Sequence, residues 1–176
     1  MVLNAITAKT GEPTYLYQVL NIISNKDIRN RFEKTVLYNE PDLVNISWEF
    51  FQGEEISGIV AGGNIRCFLK LAGTQYFPDL ENRVLFLEGL GPTVESLITH
   101  LTQLKQMGAF DKIAGLLLGT FTNLEKTYDK YYIYRIVQDF IAKDLPVAKT
   151  SEVGHDITSK ILTIGGKINI KNFQSS

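Results

Sequence analysis

Glu88 and His155 are the two residues of this chain best placed to do acid–base chemistry. The run from Gly73 to Gly91, GTQYFPDLENRVLFLEGLG, feeds a polar, proline-containing turn into an apolar strand, Val84 to Leu87. It leaves Glu88 where the strand gives way to a glycine-rich turn. His155 stands in Val153-Gly154-His155-Asp156, again just past a short strand. In α/β folds the carboxyl ends of strands are where sites are built. A carboxylate that accepts the Nδ1 proton of a histidine fixes its tautomer and leaves Nε2 as a base. Such a pair is two thirds of a nucleophilic hydrolase; the missing part is a Ser, Cys or Thr raised on a tight turn. No such nucleophile is evident: Ser24, Ser47, Ser57, Ser96, Ser151 and Ser159 all lack a Gly-x-Ser-x-Gly elbow, and Cys67 falls in the middle of an expected helix. From spacing alone, 155 − 88 = 67 residues, the pair carries little information, and two unrelated surface residues are the favoured reading.

Other candidates are weaker. His100 lies near the edge of an amphipathic helical face and reads as a packed or half-exposed histidine. Gly62-Gly63-Asn64 precedes a helix, where backbone amides can bind phosphate. It lacks both the G-x-G-x-x-G and the G-x-x-x-x-G-K-[ST] frames, so a structural turn is favoured. Two histidines without short spacing make no recognisable metal site. The single Cys67 excludes an intrachain disulfide and, within the apolar run Ile65, Phe68, Leu69, reads as a buried inert thiol. A net charge of −1 without a basic block gives nucleic-acid binding no support. No apolar run approaches a membrane span and the N-terminus lacks a signal-peptide pattern, so the cytoplasm is the expected location.

The elements that must position Glu88 and His155 follow from pattern. At 176 residues and 44% hydrophobic content the chain can bury the core of one ordinary domain. Val2 to Thr10 reads as a helix stopped by Gly11, and Thr14 to Tyr17 as a short strand. Ser24 or Asn25 caps a helix through Lys34, with Asp27 in its first turn. Thr35 to Tyr38, Val44 to Phe51 and Glu55 to Ala61 read as strands, with Trp48 packing at the core or its rim. Asn64 caps a helix from Ile65 to Leu71, and Pro92 opens a second helix whose Leu97, Leu101 and Leu104 share one face. Ile113 to Leu118 is a buried strand, Thr120 to Lys130 a polar loop, Ile133 to Ile141 a helix, and Pro146 to Lys149 a strand leading to Gly154-His155. Two last strands near Lys160 to Ile164 and Lys167 to Ile170 meet at Gly165-Gly166, a hairpin signal. Only Gln174 to Ser176 looks like a frayed end.

An ordered set of motifs resembles a known family. Gly62-Gly63-Asn64, then Leu71-Ala72-Gly73-Thr74-Gln75-Tyr76-Phe77-Pro78-Asp79, Val84-Leu85-Phe86-Leu87-Glu88, Leu101 to Gly115, Leu118-Gly119 and Gly154-His155 are similar to the serine-type L,D-carboxypeptidases, peptidase family S66. That family holds muramoyl-tetrapeptide carboxypeptidases and microcin C immunity proteins. The resemblance covers about Leu3 to Ile170 and corresponds to the C-terminal domain alone. It implies an α/β fold of the swivelling β/β/α kind, a mixed sheet flanked by helices, over residues 13–176. Residues 1–12 resemble the helix that follows the nucleophile turn of the N-terminal domain. By this resemblance Glu88 orients, His155 is general base and then general acid, Gly62, Gly63 and Asn64 bind substrate, and the serine lies upstream of residue 1. No cofactor or metal is implied. The partners implied are a peptide such as a murein tetrapeptide, the missing nucleophile domain, and a second copy in a homodimer covering the face that domain would occupy. Two other readings fit the same residues: a microcin immunity-type peptidase fragment, or a non-catalytic paralogue serving as a binding or assembly domain.

Overall fold

The structure, a computed structural model, describes residues 2–172. In chain order the elements are α1 (Val2–Thr10), β1 (Thr14–Leu16), α2 (Leu20–Ser24), α3 (Lys26–Tyr38), β2 (Glu49–Gln52), β3 (Glu55–Asn64), α4 (Ile65–Leu69), β4 (Arg83–Gly89), α5 (Val94–Gln106), β5 (Gly115–Phe121), α6 (Lys130–Gln138), β6 (Val147–Lys149), β7 (Leu162–Ile164) and β8 (Lys167–Lys171). Six strands form a mixed sheet in the order β2-β6-β5-β4-β3-β8, and β1 pairs with β7 in a separate ribbon. The four inner strands are parallel, while β2 and β8 run antiparallel at the edges.

The centre of the sheet is buried on both faces, which explains why β4 and β5 are apolar at nearly every position. Strand alternation sorts their side chains. Leu85, Leu87, Leu116 and Leu118 join Leu97, Leu101 and Leu104 of α5 and Ile133 and Val137 of α6 in one core. Val84, Phe86 and Leu117 point the other way, onto Val153 and onto Leu162 and Ile164 of β7. Leu3 of α1, Leu16 of β1 and Trp48 pack against that second core. The sequence placed Trp48 in this role, and the mixed α/β architecture is the one expected from the resemblance.

Four local expectations change. Thr35 to Tyr38 is the last turn of α3, not a strand: Asn25 caps the helix through its side chain, and the helix continues until Asn39 takes the left-handed conformation at φ 57°. The strand expected over Val44 to Phe51 begins only at Glu49 and runs to Gln52, with a bulge between Phe50 and Gln52. Pro92 precedes α5, because Thr93 is the cap and accepts the Ser96 amide. Gly165-Gly166 makes no hairpin. The Gly165 amide donates to the Val60 carbonyl and the Val60 amide to that of Gly166, so the chain crosses β3 and switches from the ribbon to the sheet. The expected frayed end, Gln174 to Ser176, lies outside the described residues.

Candidate active site

The register of the sheet, one bulge and one loop build the site. β3 and β4 pair so that Asn64 stands opposite Glu88. Beyond Leu87–Leu118 the pairing of β4 with β5 slips, and Gly89 stands opposite Phe121. The extra residue on β5 is a bulge, a device that re-aims side chains beside sites. Gly119 occupies it. A Cβ there would come within 2.6 Å of Phe86 Cζ and of the Val153 carbonyl oxygen, and 3.0 Å from Glu88 Cβ. The Thr120 amide donates to the Val153 carbonyl at 2.9 Å, which ties the loop after β6 to the bulge. Gly154 follows with φ 154°, and a Cβ on it would fall 1.8 Å from Thr120 Oγ1. Lys149, buried at the end of β6, donates to the Gly119 carbonyl at 2.8 Å and pairs with Glu125. Backbone approach at two glycines therefore delivers His155 to Glu88.

His155 Nδ1 lies 2.8 Å from Glu88 Oε2. Glu88 is 2% exposed, whereas the His155 side chain is 26% exposed, so the carboxylate is sealed and the ring reaches toward solvent. Neither atom has another hydrogen-bond partner among the described residues. A proton on Nδ1 donated to Glu88 is the arrangement that satisfies both. Nε2 then carries the free lone pair, with no protein partner among the described residues. Asn64 does two jobs: its Oδ1 caps α4 by accepting the Cys67 amide at 3.3 Å, and its side chain hydrogen-bonds Glu88.

Burial drives the Glu88 carboxyl above its ordinary value of 4.5, and the charge of His155 and the hydrogen bonds from Asn64 and His155 pull it partway back. The native state therefore holds this proton more tightly than the unfolded chain does. The resulting stability is fully present below the ordinary value and is lost as pH rises through the raised native one. Glu88→Gln removes that dependence. The stability of the variant relative to the parent is expected to increase from about pH 4 to about pH 7 in urea titrations, and a difference constant across that range would contradict the burial effect.

His155 stands between two clefts. The smaller, about 170 Å³, is walled by Leu3 and Asn4 of α1, Tyr17, Gly63 and Glu88. The larger, about 650 Å³, is walled by Arg66, Cys67, the Gly89–Thr93 turn and His100. Of the expected substrate-binding residues, Gly62 has its amide and carbonyl both engaged by the buried Asn4 side chain, at 2.9 and 2.6 Å. Gly63 faces open space, and Asn64 borders both clefts. Cys67 is half-buried and lines both clefts, contrary to a thiol sealed in the core. In the short helix α4 the inward positions belong to Ile65, Phe68 and Leu69, which leaves Arg66 and Cys67 on the cleft side. Sequence reasoning missed Asn4 and Arg66. A polar side chain among the apolar residues opening α1 is the one signal that singles out Asn4.

The family model described as LD-carboxypeptidase C-terminal domain matches residues 57–170. A putative carboxypeptidase of Treponema pallidum (strain Nichols) is 28% identical over 195 residues, covering 96% of this chain and 58% of that protein. The crystal structure of muramoyltetrapeptide carboxypeptidase from Oxalobacter formigenes superposes with a TM-score of 0.76 at 21% identity, covering 98% of this chain and 62% of that one. The microcin C7 self-immunity protein MccF in complex with aspartyl sulfamoyl adenosine superposes with a TM-score of 0.77 at 20% identity, covering 97% and 61%. At these identities the two structures establish the shared fold. The chain spans about three fifths of the length of each of these proteins.

Proposed function

Because this chain belongs to the LD-carboxypeptidase C-terminal domain family, we propose that it is the acid–base half of a serine-type L,D-carboxypeptidase. The observation that carries the proposal is the buried Glu88 carboxylate 2.8 Å from His155 Nδ1, with Nε2 turned to a cleft. In this reading a serine from a preceding nucleophile domain attacks the peptide carbonyl while His155 Nε2 takes its proton. His155 returns that proton to the leaving amine, and Glu88 stabilises the imidazolium in between. Water, deprotonated by the same nitrogen, then releases the acyl group and restores the serine. Helix α1 is proposed as the connection to that domain. Its Leu3 and Asn4 line the cleft that holds Glu88 and His155, so a nucleophile carried just before α1 would enter there.

The substrate proposed is a murein tetrapeptide that loses its terminal D-alanine, in peptidoglycan recycling in the cytoplasm. Among the described residues no helix is long and apolar enough to cross a membrane. The test is release of D-alanine from the tetrapeptide by the isolated chain and by the chain joined to a nucleophile domain of this family. Only the joined protein should turn over, and Ser→Ala in the nucleophile turn should silence it. Activity of the isolated chain, or activity that survives Ser→Ala, would overturn the mechanism. Turnover of an aminoacyl-sulfamoyl nucleoside in place of the tetrapeptide would move the substrate to the immunity-type branch.

A further inference from the structure

We propose that the larger cleft is a carboxylate-binding subsite, in which Arg66 and His100 receive the terminal carboxylate of the amino acid that leaves on cleavage. This rests on the acyl-transfer reading above. Its starting point is position. The leaving amine must take its proton from His155, and the carboxylate of an amino acid is one carbon away from that amine. The subsite must therefore open onto the imidazole. The cleft walled by Arg66 and His100 does so, sharing Asn64, Cys67 and His155 with the smaller one.

Its chemistry is that of an unfilled anion site. Arg66 has no ion pair and no hydrogen bond among the described residues. Among the described residues His100 Nδ1 is buried without a partner, and none of those lining the cleft is a carboxylate. Buried polar atoms ordinarily find partners, so an orphan beside an unpaired guanidinium calls for an explanation. The two groups feel one another: burial first, and the Arg66 charge second, hold the His100 imidazole below its ordinary value. An anion between them would relieve that repulsion. A guanidinium presents two parallel N–H groups that match a carboxylate, and the turn opening the thirteen-residue α5 adds its partial positive charge at the same cleft.

The experiment titrates N-acetyl-D-alanine and, separately, its uncharged amide N-acetyl-D-alaninamide into the chain, followed by the imidazole resonances of His100 and His155. The acid should bind at least about tenfold more tightly than the amide, and Arg66→Ala should lower acid affinity about tenfold while leaving the amide unchanged. Arg66 is exposed, so the variant keeps the fold. Equal binding of acid and amide, no His100 shift with the acid, or an acid preference that survives Arg66→Ala would each overturn the subsite. Acid-selective binding in a joined protein that turns over neither the tetrapeptide nor an aminoacyl-sulfamoyl nucleoside would sink the acyl-transfer reading and leave the subsite standing.

Discussion

Replacing His155 with alanine is expected to lower kcat/KM for D-alanine release by at least about 10⁴ in the joined protein. The ring reaches outward from a loop, so its loss removes little packing; among the described residues it is also the sole partner of Glu88 Oε2, and leaving that buried oxygen unpaired should cost about 1–3 kcal/mol of stability. Glu88→Gln should cost about 10⁴ as well, since an amide can hold the ring in the wrong tautomer without stabilising the imidazolium. The double variant should be no slower than the poorer single one, because the two side chains act as a unit. Losses within tenfold of the parent, or losses that multiply, would remove Glu88 and His155 from the reaction.

The largest effect on stability is expected at Gly62. A Cβ at this position would fall 2.0 Å from the Phe86 carbonyl oxygen and 3.0 Å from the Phe86 nitrogen and carbonyl carbon. These are backbone atoms of the neighbouring central strand and cannot rotate away. Gly62 also holds φ 119°, where a side chain is strained in any case. Its two hydrogen bonds to Asn4 lock α1 at the same point. Gly62→Ala should therefore destabilise by about 4 kcal/mol or more, as overpacking and backbone strain combine. Gly63→Ala is the control: φ 134° strains it too, but its Cβ would meet nothing within 4 Å. Urea midpoints that fall equally in the two variants would show that strain alone, and not the closeness of β3 to β4, sets the cost.

The parts of the fold legible in the sequence are those where one local signal suffices. The uninterrupted apolar runs of β4 and β5 announce strands buried on both faces, and Leu97, Leu101 and Leu104 announce a helix on one of them. Asn25 and Asn64 mark helix ends by their own chemistry. What was misread depends on partners distant in sequence. Thr35 to Tyr38 has strand-like residues but no neighbouring strand, so the helix already running absorbs it. Gly165-Gly166 carries hairpin chemistry, yet Val60 takes both backbone bonds.

The site divides in the same way. Glu88 and His155 are visible as polar residues at strand ends, and the structure brings them into contact across 67 residues of chain. What joins them is not visible: the bulge at Gly119, the Thr120–Val153 hydrogen bond and the space left by Gly154 arise only when β5 and the loop after β6 meet. Arg66 likewise has no signature, because an exposed arginine on a helix is ordinary until the cleft beside it is seen. Packing turns common residues into a candidate site.

The most direct test is the tautomer of His155, read from the ¹⁵N shifts of its two ring nitrogens at a pH where the ring is neutral. The expected result is a proton on Nδ1, held against Glu88, with Nε2 bare, and loss of that preference in Glu88→Gln. A neutral ring protonated on Nε2, unchanged by Glu88→Gln, would mean that the carboxylate does not orient the base.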